Sequence, residues 1–186
     1  MAKDMLAREG KIKPAAVKGP DAGARKGGGA AAEFLETAVR VAARKAARTE
    51  GMEMTHFLQK AVETYLLATR ALEGDLAERI TAKRTLIDTA VTKAREIDAN
   101  GGFDEHFVLT VLRSLTSTDS ARRLYETATG GALTDDKAPR RAGVNQQLAR
   151  VIKAAVGARA KRNDKGKLAR AQVTGEVVTS YTLLEK

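Results

Sequence analysis

Apolar residues return at steps of three and four through most of the chain, the spacing that places them on one face of an α-helix. The first such stripe runs from Glu33 to Thr49, and Gly51 can adopt the left-handed conformation that ends a helix. Thr55 is suited to cap a second helix. The two stripes consist of Phe34, Leu35, Ala38, Val39, Ala42, Ala43 and Ala46, and of Phe57, Leu58, Ala61, Val62, Tyr65 and Leu66.

The helical period continues beyond this hairpin. A third helix is predicted from Asp75 to Ala99, where Asn100-Gly101-Gly102 stops it. Asp104 is expected to cap a short apolar helix, and Asp119 is expected to cap the next one, which ends at Gly130-Gly131. After an exposed linker, the helical period returns from Val144 to about Ala158.

The last stretch of the chain changes to a period of two. One face of the predicted strand carries Val177, Thr179, Tyr181 and Leu183, which alternate with the residues of the opposite face. The segment is rich in β-branched and aromatic side chains, which favour strands. A lone strand cannot satisfy its backbone, so we predict pairing with residues 168–173 across Thr174-Gly175. The fold class expected is mainly α, with a small C-terminal β-hairpin.

These patterns divide the chain into five predicted segments. The first, rich in Gly and Pro and poor in large apolar residues, cannot offset its ordering entropy by burial and is expected to be a disordered basic arm. The segments are the arm 1–29, a helix-hairpin unit 30–72, a helical domain 73–131, a linker 132–142 and a basic helix-plus-hairpin unit 143–186.

Composition narrows the class of protein. Of 186 residues 43% are hydrophobic and 4% aromatic, so a core built of Ala, Leu, Val and Ile is expected, which suits helices. The absence of cysteine excludes a disulfide scaffold, a thiolate metal site and a cysteine nucleophile. Because no apolar run approaches the roughly 18 residues of a membrane span, a soluble cytoplasmic protein is expected.

The net charge of +10 is concentrated in one segment. Residues 137–170 hold eleven Lys and Arg against one Asp, residues 1–29 carry +4, and residues 30–136 carry −3. Such an asymmetry is typical of a protein that binds a polyanion, most readily nucleic acid. A solvated surface remains the alternative. The predicted nucleic-acid-binding residues are Arg140, Arg141, Arg150, Lys153, Arg159, Lys161, Arg162, Lys165, Lys167 and Arg170, with Thr55.

The first hairpin resembles the ribbon-helix-helix DNA-binding family. The likeness covers about 35 residues and rests on Gly51 as the helix-ending glycine, Thr55 as the cap, and the two apolar stripes. It implies a homodimer whose paired N-terminal strands lie in the DNA major groove, while Thr55 and His56 hold a phosphate at a helix N-terminus. The strand should fall near Ala30–Glu36, where Ala and Glu are weak strand formers. We therefore expect the hairpin to serve dimerisation, with DNA contact elsewhere. An ordinary antiparallel helix hairpin is the alternative.

The basic C-terminal unit is the candidate for the DNA contact. A helix carrying Arg150 and Lys153 at i and i+3, followed by a flexible basic loop and a hairpin, is similar to a winged-helix arrangement. There, a helix enters a groove of DNA and the hairpin lies over phosphates. A C-terminal hairpin with a merely solvated loop is the alternative.

Catalytic chemistry is not indicated. His56 and His106 are far apart in sequence and have no neighbouring cysteine, and Asp104 and Glu105 beside His106 are accounted for by a helix N-terminus. Neither glycine-rich stretch has the Gly-Lys-Ser/Thr ending of a phosphate loop. We expect no enzyme, no metal and no cofactor.

The function expected is that of a dimeric protein that binds double-stranded DNA, as a transcriptional repressor or an accessory or architectural factor. The resemblance alone suggests a plasmid partition or transfer origin as its place of action. Two alternatives stay open. One is an RNA- or ribosome-associated basic protein. The other is a protein–protein interaction or scaffold module in which the charge is incidental.

Overall fold

The structure is a computed structural model that describes residues 34–186, and the predicted arm 1–29 lies outside them. It confirms a mainly helical fold with a small antiparallel C-terminal sheet. The helices of this range are α1 Thr37–Thr49, α2 Met54–Ala68, α3 Gly74–Ala99, α4 Phe107–Ser114, α5 Asp119–Thr129 and α6 Arg141–Ala155. The strands are β1 Arg159–Ala160, β2 Arg170–Gln172, β3 Ser180–Thr182 and β4 Leu184–Glu185. Within residues 34–186, none of the helices combines the length and apolar character that crossing a membrane requires.

The turn between α1 and α2 depends on Gly51. Its φ of +67° is left-handed, and the N–H of Met52 donates to the carbonyl of Ala47 at 2.7 Å, which closes the helix end. A Cβ at Gly51 would lie only 3.1 Å from that of Ala154 in α6, so a side chain at this position would crowd α6. The turn is thereby fitted closely against the end of α6.

Three predicted helix caps are wrong. Glu53 precedes α2, so Thr55 lies inside its first turn instead of capping it. Thr118 caps α5, because its Oγ1 accepts the N–H of Ala121 at 3.3 Å, and Asp119 is already helical. The helix predicted to follow Asp104 begins only at Phe107, since the intervening residues form a separate turn in which the Phe107 N–H donates to the Asp104 carbonyl at 3.2 Å.

One hydrophobic core joins the helical middle to the C-terminal strands. Leu86 of α3, Phe107 of α4, Tyr125 of α5, Leu148 of α6 and Tyr181 of β3 all belong to it. The predicted units 73–131 and 143–186 are therefore packed around a shared centre.

The predicted linker 132–142 is not uniformly exposed. Ala138 is buried, and Arg141, already in the first turn of α6, is 6% exposed. This segment lies against the body of the molecule.

The α1–α2 hairpin lies at the edge of that core. Several residues of its predicted apolar stripes are open to solvent within one chain, with Val39 49%, Val62 57% and Tyr65 67% exposed. Residues 34–36 form a turn ahead of α1, and the rest of the predicted strand lies outside the described range. The main buried contact of α2 is instead polar, because Glu63 forms ion pairs with Lys83 and Arg84 of α3.

The predicted C-terminal strand pairing is confirmed, but the predicted turn is wrong. β2 and β3 are antiparallel in the register Arg170↔Thr182 and Gln172↔Ser180, and residues 173–179 connect them in place of a two-residue turn. Val177 and Val178 are both buried, which breaks the predicted alternation. The chain then continues into β4, which pairs with β1 next to the end of α6.

The basic loop after β1 forms a hydrogen-bonded turn. Arg162 and Leu168 form a β-bridge, the Asn163 carbonyl accepts the N–H of Gly166 at 2.8 Å, and Gly166 has a φ of +70°. The Asn163 side-chain oxygen also accepts two backbone N–H groups, at 3.1 and 3.0 Å. We call residues 162–167 the basic turn. Their backbone is fixed, while their cationic side chains remain exposed.

Candidate nucleic-acid interface

Helix α6 has one buried face and one open face. Val144, Leu148 and Ile152 belong to the core. Gly143, Gln146, Arg150 and Lys153 follow at steps of three and four, so they share the opposite face. A Cβ at Gly143 would meet nothing within 4 Å, which shows how open this face is near its start.

A groove of about 720 Å³ lies between this face of α6 and the C-terminal strands. We call it the α6 groove. Its polar rim includes Gln146, Arg150 and Lys153 on the helix side and Arg170 and Ser180 on the strand side. Its floor is apolar and is formed largely by Val108, Leu112, Val177, Tyr181 and Leu184. The groove thus combines a basic rim with an apolar base.

Besides Arg141, three of the predicted residues line this groove. Arg150 and Lys153 come from α6, and Arg170 reaches it from β2. Arg170 Nη2 donates to Ser180 Oγ at 2.8 Å, and Arg150 Nη1 lies 3.1 Å from His56 Nε2. None of the three has a carboxylate partner within residues 34–186, so their charges remain available to an anion.

Arg141 lines the α6 groove but is buried, and its guanidinium is held by partners within the protein, so its contact with nucleic acid remains a prediction. Its guanidinium donates to the Val177 carbonyl, at 3.2 Å from Nε and 3.0 Å from Nη2, and to the Leu133 carbonyl at 2.6 Å. Asp136 lies 3.1 Å from Nη2 and balances its charge. The side chain is buried because it satisfies carbonyls of two loops, which is a structural task.

Lys161 is also occupied. Its ammonium group forms an ion pair with Glu105, and Lys161 lowers the pKa of the Glu105 carboxyl below its ordinary value, first by the hydrogen bond and then by its charge. The same bond raises the pKa of Lys161. The charge of Lys161 is balanced by Glu105, and its contact with phosphate remains a prediction.

The basic turn carries open charges. Lys165 and Lys167 are exposed, as is Arg159 in β1, and none of these three has an ion-pair partner in the described part of the chain. Arg162 donates to the Gly166 carbonyl, which holds its side chain across the turn. These residues do not line the α6 groove, although their chain neighbours Ala160 and Leu168 do.

The other predicted residues lie apart from the groove. Thr55 belongs to the first turn of α2, and Arg140 precedes α6 on the side that faces α2 and α3. Gln146 and Gln147 line surfaces beside Arg150 and were missed by charge counting, since they are neutral. Their spacing of four and three residues before Arg150 is the sequence signal that locates them.

The Asp104–His106 segment has a structural role in this fold. His106 Nδ1 and the Tyr181 hydroxyl are 2.7 Å apart, and burial raises the pKa of that hydroxyl. Leu184 N–H donates to the Glu105 carbonyl at 3.0 Å. These bonds attach the start of α4 to β3 and β4. No cluster of three or more His, Asp or Glu side chains able to hold a metal ion occurs between residues 34 and 186.

Comparisons of the chain with protein-family models, with curated proteins and with solved structures find no match.

Proposed function

We propose that the protein binds double-stranded DNA through the open face of α6. The observation that carries the proposal is the shared face of Gln146, Arg150 and Lys153, flanked across the groove by Arg170. Glutamine pairs with adenine and arginine with guanine through two hydrogen bonds each, and the major groove, about 12 Å wide, admits a helix. These residue types on one open helix face suit base reading.

The basic turn supplies the complementary phosphate contacts. Its Lys165 and Lys167 extend from a backbone held by Asn163, and Arg159 adds a third exposed cation. Phosphate contacts fix the position of a protein on the duplex but carry no sequence information. Together, α6 and the turn form a winged-helix-like unit in which the helix reads and the hairpin positions.

The α1–α2 hairpin is proposed to be the dimer contact. Val39, Val62 and Tyr65 are open to solvent in one chain, and a second copy could cover them. A two-fold dimer presents two copies of α6 to two half-sites. A repressor or an architectural factor in the cytoplasm would use this arrangement, and the ribbon-helix-helix likeness suggests plasmid partition or transfer origins as sites.

The test is a mobility-shift titration with duplex DNA, single-stranded DNA and structured RNA over a salt series. The proposal predicts tightest binding to the duplex, with a steep loss of affinity as salt rises, near −0.9 in log–log slope for each phosphate contact. Tighter binding to structured RNA than to any duplex would replace DNA by RNA as the partner.

A second candidate function is the binding of an acidic, amphipathic protein segment in the same groove. The apolar floor favours it, and Leu168 at the edge of the groove is 48% exposed. A helix with carboxylates beside apolar anchors would match both floor and rim. Leu168→Ser separates the candidates, since it should weaken such a peptide complex and leave duplex binding unchanged.

A further inference from the structure

A second depression, of about 370 Å³, lies between α2, α3 and α6. We call it the three-helix cleft. It shares Gly143, Gln146 and Arg150 with the α6 groove and opens on the other side of that helix. Its polar lining comprises His56 and Gln59 of α2, Arg79 and Lys83 of α3, and Arg140, Gln146, Gln147 and Arg150 of the α6 region.

The charges of this cleft are not balanced. No Asp or Glu is among its lining residues, and Arg79 and Arg140 have no ion-pair partner in the part of the chain that the structure describes. Lys83 is paired with Glu63, but the same carboxylate also lies 3.1 Å from Arg84. One negative charge therefore faces two positive charges. The region therefore carries an excess of positive charge between packed helices.

The contact between Arg150 and His56 adds to this imbalance. The guanidinium group of Arg150 lies 3.1 Å from His56 Nε2 and has no carboxylate partner within residues 34–186. Its charge therefore faces the cleft uncompensated. Gln59 Nε2 donates to Glu63 Oε1 at 2.9 Å, which positions that amide at the cleft wall.

We propose that the three-helix cleft binds phosphoryl groups. Arginine side chains present forked donors that match phosphate oxygens, and the glutamine amides beside them add neutral donors. The volume lies within the range of about 300–1,000 Å³ that small-ligand pockets occupy. The phosphoryl groups belong either to a free phosphorylated metabolite or to the backbone of DNA that passes α6.

Phosphate binding there has a structural consequence. The cationic side chains come from the α3 and α6 regions, and His56 comes from α2, so one anion would hold all three elements together. A ligand that binds only the assembled cleft stabilises it by mass action. Arg79 and Arg140 line this cleft but not the α6 groove, so variants of these two residues test phosphate binding separately from base reading by α6.

The experiment uses the full chain and four variants. Calorimetric titration with pyrophosphate and with ATP tests free phosphates, and anisotropy with a labelled duplex tests the DNA backbone. Arg79→Gln and Arg140→Gln remove one cleft cation each. Arg95→Gln is the matched control, since Arg95 is an exposed, unpaired arginine on the same helix as Arg79 but outside the cleft. Circular dichroism confirms that each variant is folded.

We expect each cleft variant to weaken phosphate binding about tenfold or more, the effect of losing one charge-assisted contact, while Arg95→Gln binds like the wild type. If pyrophosphate or ATP shows this pattern, the source is a free phosphorylated ligand. If only the duplex shows it, the source is the DNA backbone. Equal behaviour of Arg79→Gln, Arg140→Gln and Arg95→Gln with all three probes would overturn the site. Lys153→Ala, which lines only the α6 groove, reports separately on base reading.

Discussion

In the proposed DNA complex, Arg150 is the residue on which sequence reading by α6 depends most. It stands on the open face of the helix, and its only polar contact within residues 34–186 is with His56. Arg150→Ala is expected to cost about 1–3 kcal/mol on a preferred duplex if its guanidinium meets a guanine edge, and much less on random DNA. Competition anisotropy with preferred and random duplexes measures the difference.

The competing interpretation places base reading on an N-terminal ribbon near residues 33–35. Should Arg150→Ala leave the preference for specific DNA intact, while substitutions at 31–35 erase it, the reading element is the ribbon and not α6.

The lysines of the basic turn should behave differently from Arg150. Lys165→Ala combined with Lys167→Ala removes two exposed charges from a turn whose backbone is held by Asn163 and Gly166. Because phosphates are uniform along DNA, specific and random duplexes should lose affinity alike, and the log–log salt slope should flatten by about 0.9 per lost contact. An unchanged salt slope would show that the turn does not touch the backbone.

Tyr125 gives a pH-dependent test of the core. Its hydroxyl donates to Asn145 Oδ1 at 2.9 Å, and burial raises its pKa above the ordinary value of 10.0. Above pH 10 the unfolded chain loses this proton while the folded chain keeps it, so the free energy of unfolding falls as the pH rises.

Tyr125→Phe should therefore lower the free energy of unfolding at neutral pH by about 1 kcal/mol, through the lost hydrogen bond, and flatten the alkaline decline. Urea unfolding over a pH series checks this, with Tyr65→Phe as the control because Tyr65 is exposed. Identical alkaline profiles for the two variants would contradict the assignment.

At the scale of elements, the attachment of α2 to α3 rests on a buried charge cluster. Glu63 faces Lys83 and Arg84, and all three side chains are nearly inaccessible to solvent. Glu63→Gln would leave two buried cations without a carboxylate, and breaking a buried pair in this way costs about 3–5 kcal/mol.

Urea unfolding of Glu63→Gln measures that loss. Glu78→Gln is the matched control, because Glu78 is an exposed residue of α3 without an ion pair in the described range. A Glu63→Gln protein as stable as the Glu78→Gln protein would show that the cluster contributes nothing to the attachment.

Some helix bounds and strand pairings could be predicted from the sequence, whereas the helix caps could not. Periodicity predicted α3 within one residue at its start and placed its end at Ala99, because a long stripe and the stop at Gly101 agree. It also predicted that β2 and β3 pair, because a strand needs a partner. The predicted caps were less successful, since Thr118 and Asp119 are both good capping residues and neighbours along the chain.

Pairings between distant residues could not be read from the sequence. Charge counting treats Arg141, Arg150 and Lys161 alike, yet Arg141 is buried against Val177, and Lys161 is paired with Glu105, 56 positions away. These contacts depend on the tertiary fold, which brings distant loops next to α6. Local sequence patterns do not specify such long-range contacts. The sequence therefore located the basic region correctly but overestimated how many of its charges are open.

At the scale of the whole molecule, a dimer through the α1–α2 hairpin is predicted. Val62→Asp combined with Tyr65→Asp should give a monomer that remains folded, because both side chains are exposed in the single chain and burying a carboxylate in an apolar contact is costly. Thr64→Asp, also exposed on α2, is the control. Analytical ultracentrifugation measures the mass. A wild-type monomer at micromolar concentration would contradict both the predicted dimer and the ribbon-helix-helix interpretation of this hairpin.

The whole molecule then consists of a helical core that fixes one open helix face beside a rigid basic turn. The core buries the opposite side of α6 through Val144, Leu148 and Ile152, so the position of Gln146, Arg150 and Lys153 is determined by packing. Binding sites on such rigid elements are held more closely than sites on loops.

The most direct test of DNA binding by α6 is one anisotropy titration of a labelled duplex with three proteins. The triple variant Gln146→Ala, Arg150→Ala, Lys153→Ala removes two cations from the open face. The control Arg95→Ala with Arg123→Ala removes two exposed cations elsewhere that form no ion pair within residues 34–186. We predict that the triple variant loses at least about tenfold in affinity, since charged contacts contribute 1.5–3 kcal/mol each, while the control binds like the wild type. Equal affinities for the triple variant and the control would contradict the assignment of α6 as the DNA-binding helix.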